Sequence, residues 1–222
     1  MKKTLANQVS KPVVAALSKP QRGRPRDPER LRRILEAAHS HFYEHGFERA
    51  SVDAIAKDAG VSKMTLYSHF ASKQQLFEAL IGARTEGVVS ELPGAQDLDP
   101  LHPAKALTKV GTQFLELMRD EATLGQFRAL YSAAGKQPEA CRGFYRQGAD
   151  RLVSQLAAYL VTARDAGTIR VTRPRQAADL FLAMFLGDGH IRGMLKLERP
   201  DISEDKALLR EAVRVFLAAY GV

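Results

Sequence analysis

The chain reads as an all-α protein, and three observations predict it. Apolar residues recur at spacings of three and four along most of its length, and no segment alternates at period two for long enough to make a strand. Serine and aspartate caps, glycine stops and prolines punctuate the apolar runs where helices should begin and end. The third observation is size: 222 residues, 45% of them hydrophobic, suffice for one large or two small domains with a real core. We expect a basic arm over residues 1–26, a three-helix N-terminal domain over 27–72 and a larger helical domain over 73–222.

The arm holds seven Lys or Arg and no acid, whereas residues 27–73 hold seven of each sign, so most of the net charge of +8 lies in the arm. It lacks helical periodicity, carries Pro12, Pro20 and Pro25, and is expected to be disordered in the free protein. Its end, Arg22-Gly23-Arg24-Pro25-Arg26, resembles the core of an AT-hook. In that motif glycine lets the backbone lie deep in a narrow A·T minor groove, and the arginines enter its negative potential. A basic tail is otherwise simply a solvated arm.

Asp27, Pro28 and Glu29 make a helix start, and Leu31, Ile34, Leu35, Ala38 and Phe42 continue one apolar face to Gly46. Arg30, Arg32 and Arg33 on the opposite face either reach phosphates or are solvated. Ser51 caps the next helix, whose apolar stripe is Val52, Ile55, Ala56 and Ala59. Gly60 ends it, Val61 fills the turn and Ser62 caps a third helix that turns Leu66 and Phe70 inward. Lys63, Met64, Thr65, Tyr67, Ser68 and His69 are left outside. Two helices joined by a glycine turn, the second with a polar and cationic face, form a helix-turn-helix whose second helix fits the major groove of DNA. Ser72 and Gln75 are positioned as a capping box for a fourth helix, and Lys73 in its first turn is placed to hold a phosphate.

These residues carry a family resemblance. The segment from about Pro28 to Leu80 resembles the DNA-binding domain of the TetR family of bacterial transcriptional regulators, through Gly46-Phe47, Ser51 to Ala56, Gly60-Val61-Ser62, Thr65 to Phe70 and Lys73. Phe127 to Gly148 resembles the AefR-like branch. The resemblance implies double-stranded operator DNA as a partner, met by Ser51, Ser62, Lys63, Met64, Thr65, Tyr67, Ser68, His69 and Lys73, to which the AT-hook-like arm would add Arg22, Arg24 and Arg26. Within that set Lys63 is expected at a base edge and Ser51, Tyr67 and Lys73 at phosphates. Met64 and Ser68 are further candidate base readers, because the family's recognition helix varies most at positions 63, 64 and 68.

Beyond Ser72 the fourth helix should run towards Ser90, followed by a loop over 92–103 rich in proline. Helices are then expected over 104–119, 123–134, 138 to Gly167, 175–197 and 203–220. The last two are apolar over a wide arc, and the resemblance implies that the excess is buried in a four-helix bundle with a second subunit. The candidate interface residues are Phe185, Leu186, Ile191, Leu209, Val213 and Phe216. The resemblance also implies a ligand-binding and dimerisation role for this domain, with a small apolar or aromatic effector against Phe114, Met118, Phe127, Tyr131, Phe144, Tyr145, Phe181 and Met184. An aromatic and methionine stripe at helical spacing is otherwise core.

A single cysteine, Cys141, excludes intramolecular disulfides and cysteine-rich zinc sites, leaving a small apolar residue or a redox thiol. His41 and His45 are one helical turn apart without a carboxylate pattern, so no metal is expected, nor any cofactor. No apolar run approaches a membrane span, no signal peptide is evident, and the protein is expected in the cytoplasm. An enzyme with a DNA-binding head is disfavoured: G-x-S-x-G and the P-loop are absent, and Arg192 stands where Gly187 and Gly189 would need a third glycine. An architectural protein using the arm alone would not need the long second domain.

Overall fold

The computed structural model describes residues 28–90, 92–198 and 200–222. Among them every extended element is a helix, and a lone antiparallel bridge pairs Ile169 with Gly221. The helices are α1 (Pro28–Arg49), α2 (Val52–Asp58), α3 (Lys63–His69), α4 (Lys73–Ser90), α5 (Pro103–Arg119), α6 (Glu121–Ala133), α7 (Pro138–Phe144), α8 (Asp150–Asp165), α9 (Pro174–Ala183), α10 (Asp188–Met194) and α11 (Ile202–Tyr220). The arm, with Arg22, Arg24 and Arg26, and the expected cap Asp27 lie outside the described residues.

Contacts divide the chain into two compact units. Among the described residues, one contains Pro28–Val88 together with Gly125–Gln147, and the other contains Val89–Leu124 and Gly148–Val222. Residues 125–147, expected within the second domain, thus pack with the N-terminal helices.

In the first unit the predicted apolar face of α1 is buried against Ile55, Ala56, Leu66, Phe70, Leu76, Phe77, Leu80 and Ile81. Phe77 lies edge-on to Phe42 and Phe47, with ring centroids 5.0 and 5.2 Å away. Gly46 is where α1 kinks: its φ of 73° is left-handed, a conformation glycine enters without a Cβ clash. The kink lets the chain carry Phe47 back into the core. His41 reaches Asp58 at 2.7 Å and ties α1 to the end of α2. On the other side Gln126 donates to Thr85 Oγ1 (2.9 Å), which donates to the Ile81 carbonyl (2.7 Å), so both buried polar side chains are satisfied. Cys141 is partly buried against this core.

The second unit is built on α5, α8, α9 and α11. Phe181 is fully buried and meets Phe185 and Phe216 edge-on at 5.4 and 5.3 Å. Arg119 at the end of α5 donates to Asp205 on α11 at 3.0 Å, with both side chains mostly buried. The loop before α5 is anchored to α8, where the Tyr159 hydroxyl donates to the Asp99 carbonyl at 3.1 Å. Gly111 is the close-approach residue: a Cβ there would sit 2.6 Å from Leu209 Cδ1 and 2.9 Å from Phe185 Cζ. Gly111→Val is therefore expected to overpack this contact and destabilise the chain by about 1–3 kcal/mol. A urea midpoint unchanged from the parent would refute that packing.

Three expectations are corrected. The helix predicted over 175–197 is two helices, because the turn at Met184–Gly187 leaves α9 and restarts at the Gly187 cap of α10. The segment from Pro138 to Asp165 is wound as α7, then a π turn over Tyr145–Ala149, then α8. Of the residues assigned to a subunit interface, Phe185, Val213 and Phe216 are buried within the single chain, Leu209 is half-buried, and Leu186 and Ile191 remain exposed. Helix α11 spends part of its apolar arc on α5, where Gly111 admits it.

Candidate nucleic-acid interface

The geometry of α2, α3 and the start of α4 is set by local caps. Ser51 Oγ accepts from Ala54 N (3.4 Å) and Ser62 Oγ accepts from Thr65 N (3.1 Å), each satisfying one of the donors a helix start leaves unpaired. Between them Gly60 has φ of 64°, and a Cβ there would come within 3.2 Å of the Arg33 guanidinium. At α4 Ser72 Oγ accepts from Gln75 N (3.1 Å), while Gln75 Oε1 accepts from Ala71 N rather than from the cap residue itself. Only half of the expected capping box is thus present.

Leu66 on α3 and Phe70 at its C-cap are buried and fix the helix to the core. Its other side is open: Met64 is 83% exposed and Tyr67 40%. Ser62, Lys63 and Ser68 are exposed beside them, with Thr65 and His69 half-buried at the margin. Two hydroxyls are engaged locally, Thr65 with Ser62 Oγ at 2.8 Å and Ser68 donating to the Thr65 carbonyl at 2.7 Å. An open, rigidly seated helical face of this kind, lined by donors and one phenol, can enter a groove about 12 Å wide.

The two lysines are held in different ways. Lys73 donates to the Glu48 carbonyl at 2.9 Å and lies 4.8 Å above the Phe47 ring, and partial burial lowers its pKa. It caps the end of α1 from the start of α4, so a phosphate there would meet an already positioned ammonium. Lys63 pairs with Asp53 on α2 at 2.8 Å, which raises the Lys63 pKa. The sequence pointed to Lys63 but not to Asp53. The signal was an acid in the first turn of α2, ten positions before the lysine and brought to it by the Gly60 turn.

The eight residues proposed around an effector fall in both units. Phe127, Tyr131, Phe144 and Tyr145 belong to the first, where Phe127 meets Phe144 at 5.4 Å and both tyrosines are exposed. Phe114, Met118, Phe181 and Met184 belong to the second, the first three buried. Phe114 also lines a cavity of about 30 Å³ with Leu92, Leu98, Val110, Leu152 and Leu182. That is room for no more than about two water molecules. Among the described residues no cluster of His, Cys, Asp and Glu is arranged to hold a metal, and no helix is long and apolar enough to cross a membrane.

Comparison with known proteins gives matches along most of the chain. Residues 34–80 match the model of bacterial regulatory proteins of the tetR family, and residues 105–222 match that of the AefR-like transcriptional repressor C-terminal domain. Among solved structures the chain is similar to the flavonoid-responsive regulator FrrA, with 30% identity, a TM-score of 0.74, and coverage of 88% of this chain and 98% of that one. A TetR-family regulator from Mesorhizobium loti gives 25% identity and a TM-score of 0.73 over 90% of this chain and 100% of that one. The A-factor receptor protein of Streptomyces griseus is 36% identical over 88 residues, covering 40% of this chain and 29% of the relative. The transcriptional activator FasR of Mycolicibacterium smegmatis is 44% identical over 66 residues, 30% of each. The chain spans under a third of the length of these two curated relatives.

Proposed function

Because the chain belongs to the TetR family of bacterial transcriptional regulators, a family of regulators rather than enzymes, we propose that it is a cytoplasmic homodimeric repressor that leaves a palindromic operator when a small apolar molecule binds its C-terminal region. The observation that carries the DNA-binding half is the seating of α3, with Leu66 and Phe70 buried and Lys63, Met64, Tyr67 and Ser68 presented outward. In this reading Lys63 reaches a base edge, with Met64 and Ser68 beside it. Ser51, Ser62, Thr65, Tyr67, His69 and Lys73 hold phosphates or the groove wall, and Arg22, Arg24 and Arg26 enter the flanking minor groove.

Two features support dimerisation and release. Leu180, Leu186, Ile191 and Leu195 of α9, α10 and their flanks are each more than two-fifths exposed, an apolar surface that a second copy would cover. The cavity beside Phe114 is too small for an organic molecule, so an effector there must select a conformation in which it is larger. Affinity for that conformation over the DNA-bound one is what would shift the regulator off its operator. The flavonoid named for the similar regulator FrrA makes planar aromatic compounds the first effectors to screen.

The test is selection from a random duplex pool with the full chain, followed by footprinting: a palindromic protected site supports the reading, and uniform A·T-rich coverage refutes it. On the selected site Lys63→Ala should relax sequence preference, losing about 1–3 kcal/mol at one or two positions. Weakening by the same factor on every sequence would reduce Lys63 to a phosphate contact. Repression is tested separately, by whether transcription from the selected promoter rises when the gene is deleted.

A further inference from the structure

Lys63 does not stand alone on the outward face of α3. Its ammonium lies 2.8 Å from Oδ1 and 3.1 Å from Oδ2 of Asp53, the second residue of α2, and both side chains are more than half exposed. The ion pair therefore bridges the two helices of the motif, and the Asp53 carboxylate accompanies Lys63 into any groove that α3 enters.

That company changes what Lys63 can gain from each kind of acceptor. Facing a phosphate, the pair is neutral as a unit, so the carboxylate cancels most of the counterion-releasing attraction that a lone lysine supplies. Facing a guanine edge, the gain is directional instead. An ammonium has three donors, so Lys63 can keep Asp53 on one and still serve O6 and N7 with the others. Given the DNA-binding role proposed above, we infer that Asp53 is a positioning residue for sequence specificity, withholding Lys63 from phosphates and reserving it for a base edge.

The experiment compares Asp53→Asn with the parent chain on two duplexes, the sequence selected by the parent and a scrambled version, over a range of salt. The variant should bind the scrambled duplex up to about fivefold more tightly, the upper end of what an exposed ion pair contributes. Binding to the selected duplex should change less than twofold, and the salt slope on scrambled DNA should steepen by up to about one unit. In a Lys63→Ala background the same Asp53 substitution should leave scrambled binding within twofold. Equal tightening with and without Lys63 would mean that Asp53 merely repels phosphates, and would overturn the inference. So would equal tightening on both duplexes, or loss of a selected cytosine, which would make Asp53 itself a base reader. Asp53→Ser provides a second neutral variant should the asparagine protein fold poorly, and Asp53→Glu should preserve the parent's preference. If the parent selects no sequence at all, the DNA-binding reading fails first and this inference falls with it.

Discussion

Phe77→Ala should destabilise the chain by about 3–5 kcal/mol, the range for emptying a well-packed aromatic site. Phe77 has no exposed surface and joins α4 to both sides of the Gly46 kink through the Phe42 and Phe47 rings. Each edge-on aromatic pair contributes about 0.5–1.5 kcal/mol beyond burial, and both are lost together. A loss of this size is a large share of the roughly 5–15 kcal/mol that holds a domain folded. The first unit should melt well below the parent, and DNA binding should fail at temperatures where the second unit stays folded. Thermal unfolding followed by circular dichroism measures it, with Phe77→Leu as the milder control. A loss under about 1 kcal/mol would mean that the site collapses around the cavity and that the ring trio is not what holds the kink.

Deleting residues 1–26 should flatten the dependence of log K on log salt by about two to five units, because each phosphate neutralised contributes roughly 0.9. The basis is charge accounting. The arm carries seven cations and no acid, while residues 27–73 are formally neutral. Two cations of the described head are also engaged already: Arg32 with Glu29 and Glu36, and Lys63 with Asp53. A truncated protein would therefore bind more weakly at moderate salt and lose preference for A·T pairs flanking the site. Dimerisation and effector binding should persist. Parallel salt titrations of the two forms on one duplex would make the arm a bystander, and Arg22 to Arg26 a solvated tail.

The helix-turn-helix was legible nearly to the residue because its determinants are local. Ser51, Gly60 and Ser62 each act on backbone groups within four positions, and Val52 to Phe70 bury the face their spacing marks. The second half was legible as helices but not as packing. Nothing near Phe185 or Leu209 says that Gly111, about seventy and about a hundred residues earlier, leaves room for both side chains within one chain. Periodicity gives the apolar arc of a helix without the partner that fills it. The break between α9 and α10 has no proline, and the flexible pair Gly187 and Gly189 was its one local sign. Residues 125–147 pack with the head through pairings such as Lys136 with Glu48, at 2.9 Å, which no local pattern encodes. The Asp53 partner of Lys63 was hidden for the same reason, since ten residues of separation become contact only when the turn is built.

The π turn at Tyr145–Ala149 has a consequence for how relatives of different length align with this chain. A π turn accommodates one residue more than an α turn without breaking the helix. A relative one residue shorter in this interval would wind the same stretch as α and keep the residues on either side in frame. The same gap placed inside α8 would rotate every later position by about 100°, carrying Leu156, Tyr159, Leu160 and Ala163 off their buried side. A one-residue deletion between Pro138 and Asp165 is therefore expected to be tolerated best within these five positions.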